Sequence, residues 1–379
     1  MFARFIALFY LAVLFVTVYY TRAEEQQCIR LIRDIKIDPN QDETIYSLVY
    51  DADNRPAMHE RHVIYKSLDA GAGWREISSL RPLYREFVIA PNDSQTIYLW
   101  QNFASGHMGL KSTDSGETWN EIEVAPSIIN PHDTAIMYAT VPGGIRKSTD
   151  GGATWTDLKG DWERCRQVVL APRNPQILYA YCEGGTSNGI LKSINAGADW
   201  DMVLPVMSVW NLTVDPDNSE IVYAGTRYRG VYRSIDGGKQ WHSANFDHGL
   251  PKGEYGIFSA IRPWTDFRPE ERQDIEKNGG TITQPVIHLA IDPIHPNILY
   301  AGTISGVFKS VDSGASWRAI NEGLPGNNPV NTLVINPKDS NIIYAGTEFR
   351  GIFKSIDGGE NWVSANNGIA CGPPLIMGL

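Results

Sequence analysis

Short apolar runs separated by polar turns recur along most of the chain. One recurring unit reads apolar strand, proline-containing turn, apolar strand, as in residues 212–226 (LTVDPDNSEIVYAGT), 289–303 (LAIDPIHPNILYAGT) and 333–347 (LVINPKDSNIIYAGT). Each unit continues into a short loop, a third strand, a glycine-containing turn and a short fourth strand. Four consecutive strands that repeat about every 40 residues are typical of a β-propeller blade.

The turn before the fourth strand has the pattern [KR]-S-x-[DN]-x-G-x-x-W, which we call the Asp box. Its serine and acidic or amide oxygens can accept backbone N–H groups, its glycine supplies a positive φ, and its tryptophan can anchor the last strand. We therefore expect a structural role for its fourth residue, which is Asp69, Asp114, Asp150, Asn195, Asp236, Asp312 and Asp357 in the seven copies.

Seven boxes predict an all-β chain that folds as a seven-bladed β-propeller of four-stranded antiparallel blades. The box serines are 36 to 45 residues apart, except for 76 residues between Ser234 and Ser310. The excess allows an eighth, decayed blade, but it has no box and no matching strand, so we interpret residues 251–283 as an inserted loop. The blades are expected at about residues 28–80, 81–123, 124–160, 161–205, 206–250, 284–324 and 325–371.

The N-terminus predicts export. Arg4 is followed by an almost entirely apolar stretch at residues 5–20 and by the small residue Ala23, as in a signal peptide spanning residues 1–23. An uncleaved membrane anchor is the alternative, although the stretch is shorter than the roughly 20 residues of a spanning helix. We expect a secreted, periplasmic or otherwise extracytoplasmic propeller over residues 24–379. The net charge of -10 argues against a nucleic-acid partner.

Four cysteines in an exported chain predict disulfides. Cys165 and Cys182 are equidistant from a turn between two strands, so they should face each other in a hairpin. Cys28 and Cys371 map to the same blade junction when the repeats are aligned, and a bond between them would close the ring. The alternative for this second pair is two buried free thiols.

Loop length varies on one face of the predicted propeller, which carries the loop between strands two and three and the crossover between blades. Variable loops on a rigid scaffold are common binding surfaces, and aromatic and arginine residues are common anchors in them. The candidate ligand-binding residues on this variable-loop face are Trp100, Tyr228, Arg229, Trp264, Asp266, Arg268, Phe349 and Arg350.

A second candidate set comes from aligning the first strands on their turn prolines. Six residues before the proline are Arg33, Arg85 and Arg166 in blades one, two and four, where blades five to seven have Trp210, Ile287 and Asn331. Alternation along a strand predicts that this position shares a face with the apolar residues two and four before the proline, at the mouth of the channel. The arginines could bind a carboxylate or phosphate there, or form ion pairs between blades.

The repeated box, together with IYAGT and GVFKS strands, resembles the bacterial neuraminidase-type (BNR) repeat superfamily. This superfamily includes sialidases, family 74 xyloglucanases, sortilin-type domains and photosystem II assembly factors, so the resemblance implies the fold more strongly than a function. Six blades and an arginine triad characterise the sialidases, and two tandem propellers the xyloglucanases, whereas this sequence predicts a single propeller of seven blades. The photosystem factors match best in blade number.

Catalytic signatures are sparse, and we predict no metal site and no cofactor. The leading expectation is a non-catalytic module that binds or assembles a protein or glycan through the variable-loop face. The alternative is an extracellular glycoside hydrolase, for which carboxylates such as Asp51, Asp53 and Glu60 would have to converge. A self-associating envelope subunit is a third possibility. Membrane attachment is expected only if the leader stays uncleaved.

Overall fold

A computed structural model describes residues 31–51, 61–80, 84, 86–100, 109–160, 162–184, 188–206, 208–244, 285–326 and 328–369. These residues form 28 strands arranged in seven four-stranded antiparallel sheets. The all-β, seven-bladed architecture predicted from the Asp boxes is therefore confirmed. Within the described ranges, no helix is long and apolar enough to cross a membrane. The predicted leader and the predicted insertion lie outside them.

Each sheet is built from consecutive strands in chain order, so no blade borrows a strand from another. The first two blades contain β1 (Leu31–Ile37), β2 (Ile45–Asp51), β3 (Arg61–Ser67), β4 (Arg75–Leu80), β5 (Glu86–Ala90), β6 (Asp93–Trp100), β7 (Gly109–Ser112) and β8 (Asn120–Ile122). The third and fourth contain β9 (Ile128–Ile129), β10 (Met137–Val141), β11 (Gly144–Ser148), β12 (Thr156–Asp157), β13 (Arg164–Ala171), β14 (Asn174–Glu183), β15 (Gly189–Ser193) and β16 (Asp201–Leu204).

The remaining blades have the same order of strands. The fifth contains β17 (Val209–Val214), β18 (Val222–Thr226), β19 (Gly230–Ser234) and β20 (His242–Ser243). The sixth contains β21 (Val286–Ile291), β22 (Leu299–Thr303), β23 (Gly306–Ser310) and β24 (Arg318–Ala319). The seventh contains β25 (Val330–Ile335), β26 (Ile343–Thr347), β27 (Ile352–Ser355) and β28 (Val363–Ser364).

The hydrophobic core lies between blades rather than within one. Leu48 of blade 1 and Phe87 of blade 2 belong to one buried cluster, and Ile32 of blade 1 and Tyr344 of blade 7 belong to another. Each sheet is apolar on both faces because both are covered by a neighbouring blade. A blade cannot bury its faces alone, so the ring must close for the fold to be stable.

Blades 7 and 1 close the ring through hydrogen bonds as well as apolar packing. Trp74 Nε1 donates to the carbonyl oxygen of Ala365 at 2.9 Å, and Asn331 Nδ2 donates to that of Ile32 at 3.2 Å. The proposed Cys28 to Cys371 bond lies outside the described residues. Within them, the junction between the first and last blades is held by non-covalent contacts.

The Lys or Arg at the start of each Asp box has a role that the sequence did not reveal. In all seven blades it lies over the ring of the tyrosine on the second strand, 5.1 to 5.7 Å from the centroid. In blade 7, Lys354 Nζ and Tyr344 OH both donate to the carbonyl oxygen of Ala70 in blade 1, each at 2.8 Å. This cation-π pair therefore attaches a blade to the next blade's box.

The Asp-box side chains use their oxygens inside the turn. In blade 2, Ser112 Oγ donates to Asp114 Oδ1 at 2.8 Å and accepts from the Gly116 N–H at 2.8 Å, while the Thr118 N–H donates to Asp114 Oδ1 at 2.9 Å. Asn195 makes the corresponding contacts in blade 4, with Ser193 Oγ and the Asp199 N–H. An amide therefore fits the same turn as a carboxylate.

Hydrogen bonds from Thr118 and Ser112 lower the pKa of Asp114 to about 2. Because this pKa lies below the unfolded value of about 3.9, the ionised carboxylate stabilises the fold above that value, and this stabilisation is lost as the pH falls towards 2. We expect Asp114→Asn to fold and to show a weaker loss of stability between pH 4 and pH 2 than the wild type. Urea denaturation across that range measures it, and identical pH profiles would contradict the expectation.

Cys165 and Cys182 are directly opposite each other on β13 and β14 and form a disulfide, with Cα atoms 3.9 Å apart. This is the pairing predicted from the hairpin. Both cysteines are buried. The bond lies next to Arg166 in sequence and therefore fixes the strand ends from which this arginine projects.

Candidate active site

The first strands of six blades surround a cavity of about 370 Å³ on the propeller axis, which we call the axial cavity. Its lining is mostly polar and contains both signs of charge. The lining residues are Arg33, Asp34, Lys36, Glu86, Arg166, Gln167, Trp210, Asn211, Ile287, His288, Asn331 and Thr332.

Five of the six positions aligned on the turn prolines meet in this cavity. Arg33, Arg166, Trp210, Ile287 and Asn331 all line it. Arg85, the sixth, lies outside the described residues. The alignment on the turn prolines therefore identified positions that line the cavity, but the aligned arginines are only part of the lining.

A β-bulge explains why two adjacent residues line the cavity in five of these six first strands. The strand register shifts across Arg33, Arg166, Trp210, Ile287 and Asn331, so each is an extra residue with no partner of its own on the second strand. Bulges redirect side chains and are common near functional sites. The following residue lines the cavity as well, which strict alternation does not predict.

The bulge corrects the predicted strand face. Alternation placed Arg33 on the same face as Ile35, but Ile32 and Ile35 pair with Val49 and Ser47, which are two residues apart on β2. Ile32 and Ile35 therefore share a face although they are three residues apart. The predicted face was wrong because Arg33 is the extra residue between them.

The residue after the bulge connects neighbouring blades. Gln167 Oε1 accepts the N–H of Leu212 at 2.6 Å, and Asn211 Oδ1 accepts that of Leu289 at 3.2 Å. Asp34 Oδ2 accepts the Phe87 N–H in the same way, at 3.4 Å. These side chains stabilise the cavity wall by satisfying backbone groups across the blade junctions.

Asp34 and Lys36 form an ion pair in the wall of the cavity. Lys36 Nζ donates to Asp34 Oδ1 at 3.0 Å, and the Ile35 N–H donates to the same oxygen at 2.9 Å. Burial raises the pKa of Asp34 and outweighs the opposing effect of Lys36. The carboxylates of Asp34 and Glu86 raise the pKa of Lys36 and outweigh the loss of solvation at its partly buried position, so the lysine stays charged.

His288 also lines the cavity, and its side chain is uncharged at neutral pH. Burial, with a smaller contribution from the charge of Lys36, lowers the pKa of His288 to about 3. Its Nδ1 is buried and has no hydrogen-bond partner in the described part of the chain. His288 occupies the position at which Gln167 and Asn211 connect blades, and it makes no such bond there.

Arg166 pairs within its own blade. Its Nε donates to Glu183 Oε2 at 2.7 Å, and Tyr181 OH donates to Glu183 Oε1 at 2.8 Å. The Ser208 N–H in turn donates to Tyr181 OH at 2.6 Å, which connects this network to blade 5. For Arg166 the geometry thus favours an ion pair, within one blade rather than between two.

The guanidinium of Arg33 lies over the Tyr50 ring, 5.3 Å from its centroid, and Tyr50 meets His62 edge to face at 5.5 Å. Burial and the charge of Arg33 lower the pKa of His62 to about 4. Burial raises the pKa of Glu348 on the opposite side of the blade junction, and Arg33 opposes this shift. Arg33 therefore acts electrostatically on both blades that meet at the ring closure.

None of the five predicted loop residues that the structure describes lines the cavity. Trp100 ends β6 opposite Glu86, which is a lining residue, whereas Tyr228 is buried beside Arg227. Arg229, Phe349 and Arg350 lie in the loops between second and third strands and do not line the cavity. Three other predicted residues, Trp264, Asp266 and Arg268, lie outside the described ranges. No group of three or more His, Cys, Asp or Glu side chains that could hold a metal occurs among the residues described.

No protein-family model matches the sequence. A xyloglucanase from a Paenibacillus species is 27% identical over 255 residues, which cover 59% of this chain and 22% of that protein. Xyloglucanase Xgh74A of Acetivibrio thermocellus is 24% identical over 307 residues, which cover 64% of this chain and 36% of that protein. The chain thus matches about a fifth to a third of the length of these curated relatives.

Among solved structures, the GH74 xyloglucanase of Xanthomonas campestris matches with a TM-score of 0.64 and 15% identity, over 91% of this chain and 56% of that one. YCF48 bound to D1 peptide matches with a TM-score of 0.53 and 12% identity, over 88% of this chain and 94% of that one. These likenesses concern the fold. The chain is a seven-bladed β-propeller of the Asp-box type, with GH74 xyloglucanases and YCF48 as structural neighbours.

Proposed function

We propose that this chain is a glycan-directed propeller of the glycoside hydrolase type that takes a short β-glucan segment of the xyloglucan kind into the axial cavity. The observation that carries the proposal is the axial cavity itself, about 370 Å³ and lined by amides, a hydroxyl, a histidine, carboxylates, three basic side chains and one tryptophan. A polar pocket with one apolar wall suits a sugar, which carries hydroxyls at its rim and C–H groups on its faces. The xyloglucanase relatives supply the class of glycan.

Glycoside hydrolysis requires two carboxyl groups in different protonation states. Asp34 and Glu86 are the two carboxylates of the described lining. Because Asp34 is buried and accepts three hydrogen bonds from the protein, we give it a positioning role through Lys36, so the described lining supplies one accessible carboxylate and the second carboxyl group of a hydrolase would have to come from outside it. Glu86 is exposed, so it is the carboxylate that would contact the substrate.

The sequence alone favoured a non-catalytic binding module over a glycoside hydrolase. The names of the relatives reverse this order, since the curated relatives described above are xyloglucanases. The non-catalytic module was expected to bind a protein or a glycan; where the ligand is a glycan, the two functions differ in whether a glycosidic bond is broken. The disulfide between Cys165 and Cys182 supports an oxidising, extracytoplasmic compartment, in which such a polysaccharide would be met.

Incubation with xyloglucan, cello-oligosaccharides and a sialoside panel tests this function, with released oligosaccharides measured by chromatography. We expect the wild type to release products from xyloglucan, and Glu86→Gln to lose at least about a hundredfold in kcat while still binding the polysaccharide. Glu360→Gln is the matched control, because Glu360 pairs with Arg318 away from the cavity.

Two other outcomes are informative. Binding of xyloglucan without any release would identify a non-catalytic glycan-binding module. Absence of both binding and release across the panel would contradict the glycan proposal altogether.

Peptide recognition is the second candidate function. YCF48 from Cyanidioschyzon merolae and YCF48 bound to D1 peptide are each covered over 94% or more of their length, whereas the GH74 enzymes are covered over about half. The match thus spans nearly the whole of both YCF48 chains, which supports peptide recognition as the second candidate. Co-purification of a protein partner from the native compartment, retained in the presence of excess xyloglucan, would support this candidate over the first.

A further inference from the structure

Trp210 exposes part of its indole ring to the polar axial cavity, where contact between an apolar surface and water is unfavourable. It is the extra residue of the blade 5 bulge and keeps 39% of its surface exposed while it lines the axial cavity. Among the described lining residues it is the only Trp, Tyr or Phe. An exposed indole inside a polar cavity indicates a contact surface for a ligand.

A cation–π contact with Arg227 holds the Trp210 indole in place. The guanidinium of Arg227 lies 5.6 Å from the Trp210 ring centroid and 5.1 Å from that of Tyr228. The Arg227 N–H donates to the Ser208 carbonyl oxygen at 2.9 Å, which fixes the loop that presents it. The ring is therefore preorganised, so a ligand that stacks on its exposed part need not immobilise it.

Polar atoms that remain available lie on the neighbouring lining residues. Asn211 uses Oδ1 to accept the Leu289 N–H, and Asn331 uses Nδ2 to donate to the Ile32 carbonyl oxygen. The other amide atom of each, Nδ2 of Asn211 and Oδ1 of Asn331, has no partner among the described residues. One donor and one acceptor in a wall that also holds an indole match the hydroxyl groups of a sugar ring.

The three cations of the lining, Arg33, Lys36 and Arg166, are balanced in number by the carboxylates of Asp34, Glu86 and Glu183. Lys36 is paired with Asp34, and Arg166 with Glu183, at 3.0 and 2.7 Å. Glu86 adds a further negative charge to the wall. An acidic sugar would have to displace these partners, whereas a neutral sugar would not.

From this geometry we propose that Trp210, backed by Arg227, is a stacking platform for one neutral hexopyranose residue, whose hydroxyls bind Asn211 and Asn331. The proposal deepens the proposed function and rests on it, because it takes the ligand to be a glycan. The C–H groups on one face of the pyranose stack on the indole ring of Trp210 in a non-covalent contact. Selectivity for a neutral over an acidic glycan follows from the balance of the three lining cations by three carboxylates.

Calorimetric titration of the full chain with neutral xyloglucan oligosaccharides and with oligogalacturonides tests this platform. We expect Trp210→Ala to weaken binding of the neutral ligand at least tenfold and Trp210→Phe to weaken it less than about threefold. Quenching of tryptophan fluorescence by the ligand should be smaller in both variants. Ile356→Ala, at a 68% exposed residue in the blade 7 Asp box, is the control and should bind like the wild type.

The outcomes separate the two proposals. Normal binding of the neutral oligosaccharide by Trp210→Ala, with an unchanged melting temperature, would overturn the platform and leave the proposed function standing. Preference for oligogalacturonides would overturn the neutral-sugar selectivity. A wild type that binds neither glycan would overturn the proposed function and the platform with it.

Discussion

Gly368→Ala is expected to destabilise the propeller by about 3 kcal/mol, because the new methyl group would meet the backbone of another blade. A Cβ at Gly368 would lie 2.1 Å from the carbonyl oxygen of Trp74, and φ is +88° at this residue. The neighbouring Asn367 carbonyl accepts the Trp74 N–H at 2.8 Å, so the two backbones cannot move apart without losing this bond. Both effects act on the junction that closes the ring.

Urea denaturation followed by tryptophan fluorescence measures this change. Gly326→Ala is the control, because its Cβ would meet nothing within 4 Å, and it should alter stability by less than about 0.5 kcal/mol. Gly323→Ala tests the same contact one junction earlier, where the Cβ would lie 2.0 Å from the Trp362 carbonyl oxygen. If Gly368→Ala and Gly326→Ala unfold at the same urea concentration, the described closure is wrong.

Asp34→Ala is expected to cost about 3 kcal/mol, because it removes the partner of a lysine and of two backbone N–H groups in the cavity wall. Asp34 is 3% exposed, and water cannot replace it without entering the wall. The effect should lie at the low end of the range for buried pairs, since the Lys36 side chain is 38% exposed.

Asp34→Asn and the double variant Asp34→Ala/Lys36→Met make this result interpretable. The amide keeps one acceptor oxygen, enough for either the Ile35 N–H or the Phe87 N–H, which bond to different oxygens of Asp34, and should recover part of the loss. The double variant removes the charge that the single variant leaves unpaired, so it should be more stable than Asp34→Ala alone. Equal stabilities of the single and double variants would show that the ion pair does not hold the wall.

The fold was predictable because its signal is repeated and local. Seven turns of the same chemistry specify seven blades, and each turn can be identified from nine adjacent residues. The Cys165 to Cys182 bond followed from hairpin geometry for the same reason, since both cysteines lie at equal distances from one turn. Local chemistry of this kind does not depend on how the blades meet.

The candidate site was only partly predictable because it forms where six blades converge. Alignment on the turn prolines brought Arg33 and Arg166 together with Trp210, and all three line the axial cavity. The bulge that adds Asn211 and His288 to the lining is hard to recognise in the hydrophobic pattern of any single strand, because one extra residue only changes the phase of a short strand. A comparison of how apolar residues alternate before and after that position, made across all blades, could have revealed the bulge.

The most direct measurement of the central claim is a crystal structure of the chain soaked with a xyloglucan oligosaccharide. The account predicts a sugar ring in the axial cavity, stacked on Trp210 and within hydrogen-bond distance of Asn211. An oligosaccharide bound elsewhere on the propeller, with the cavity unchanged, would contradict it.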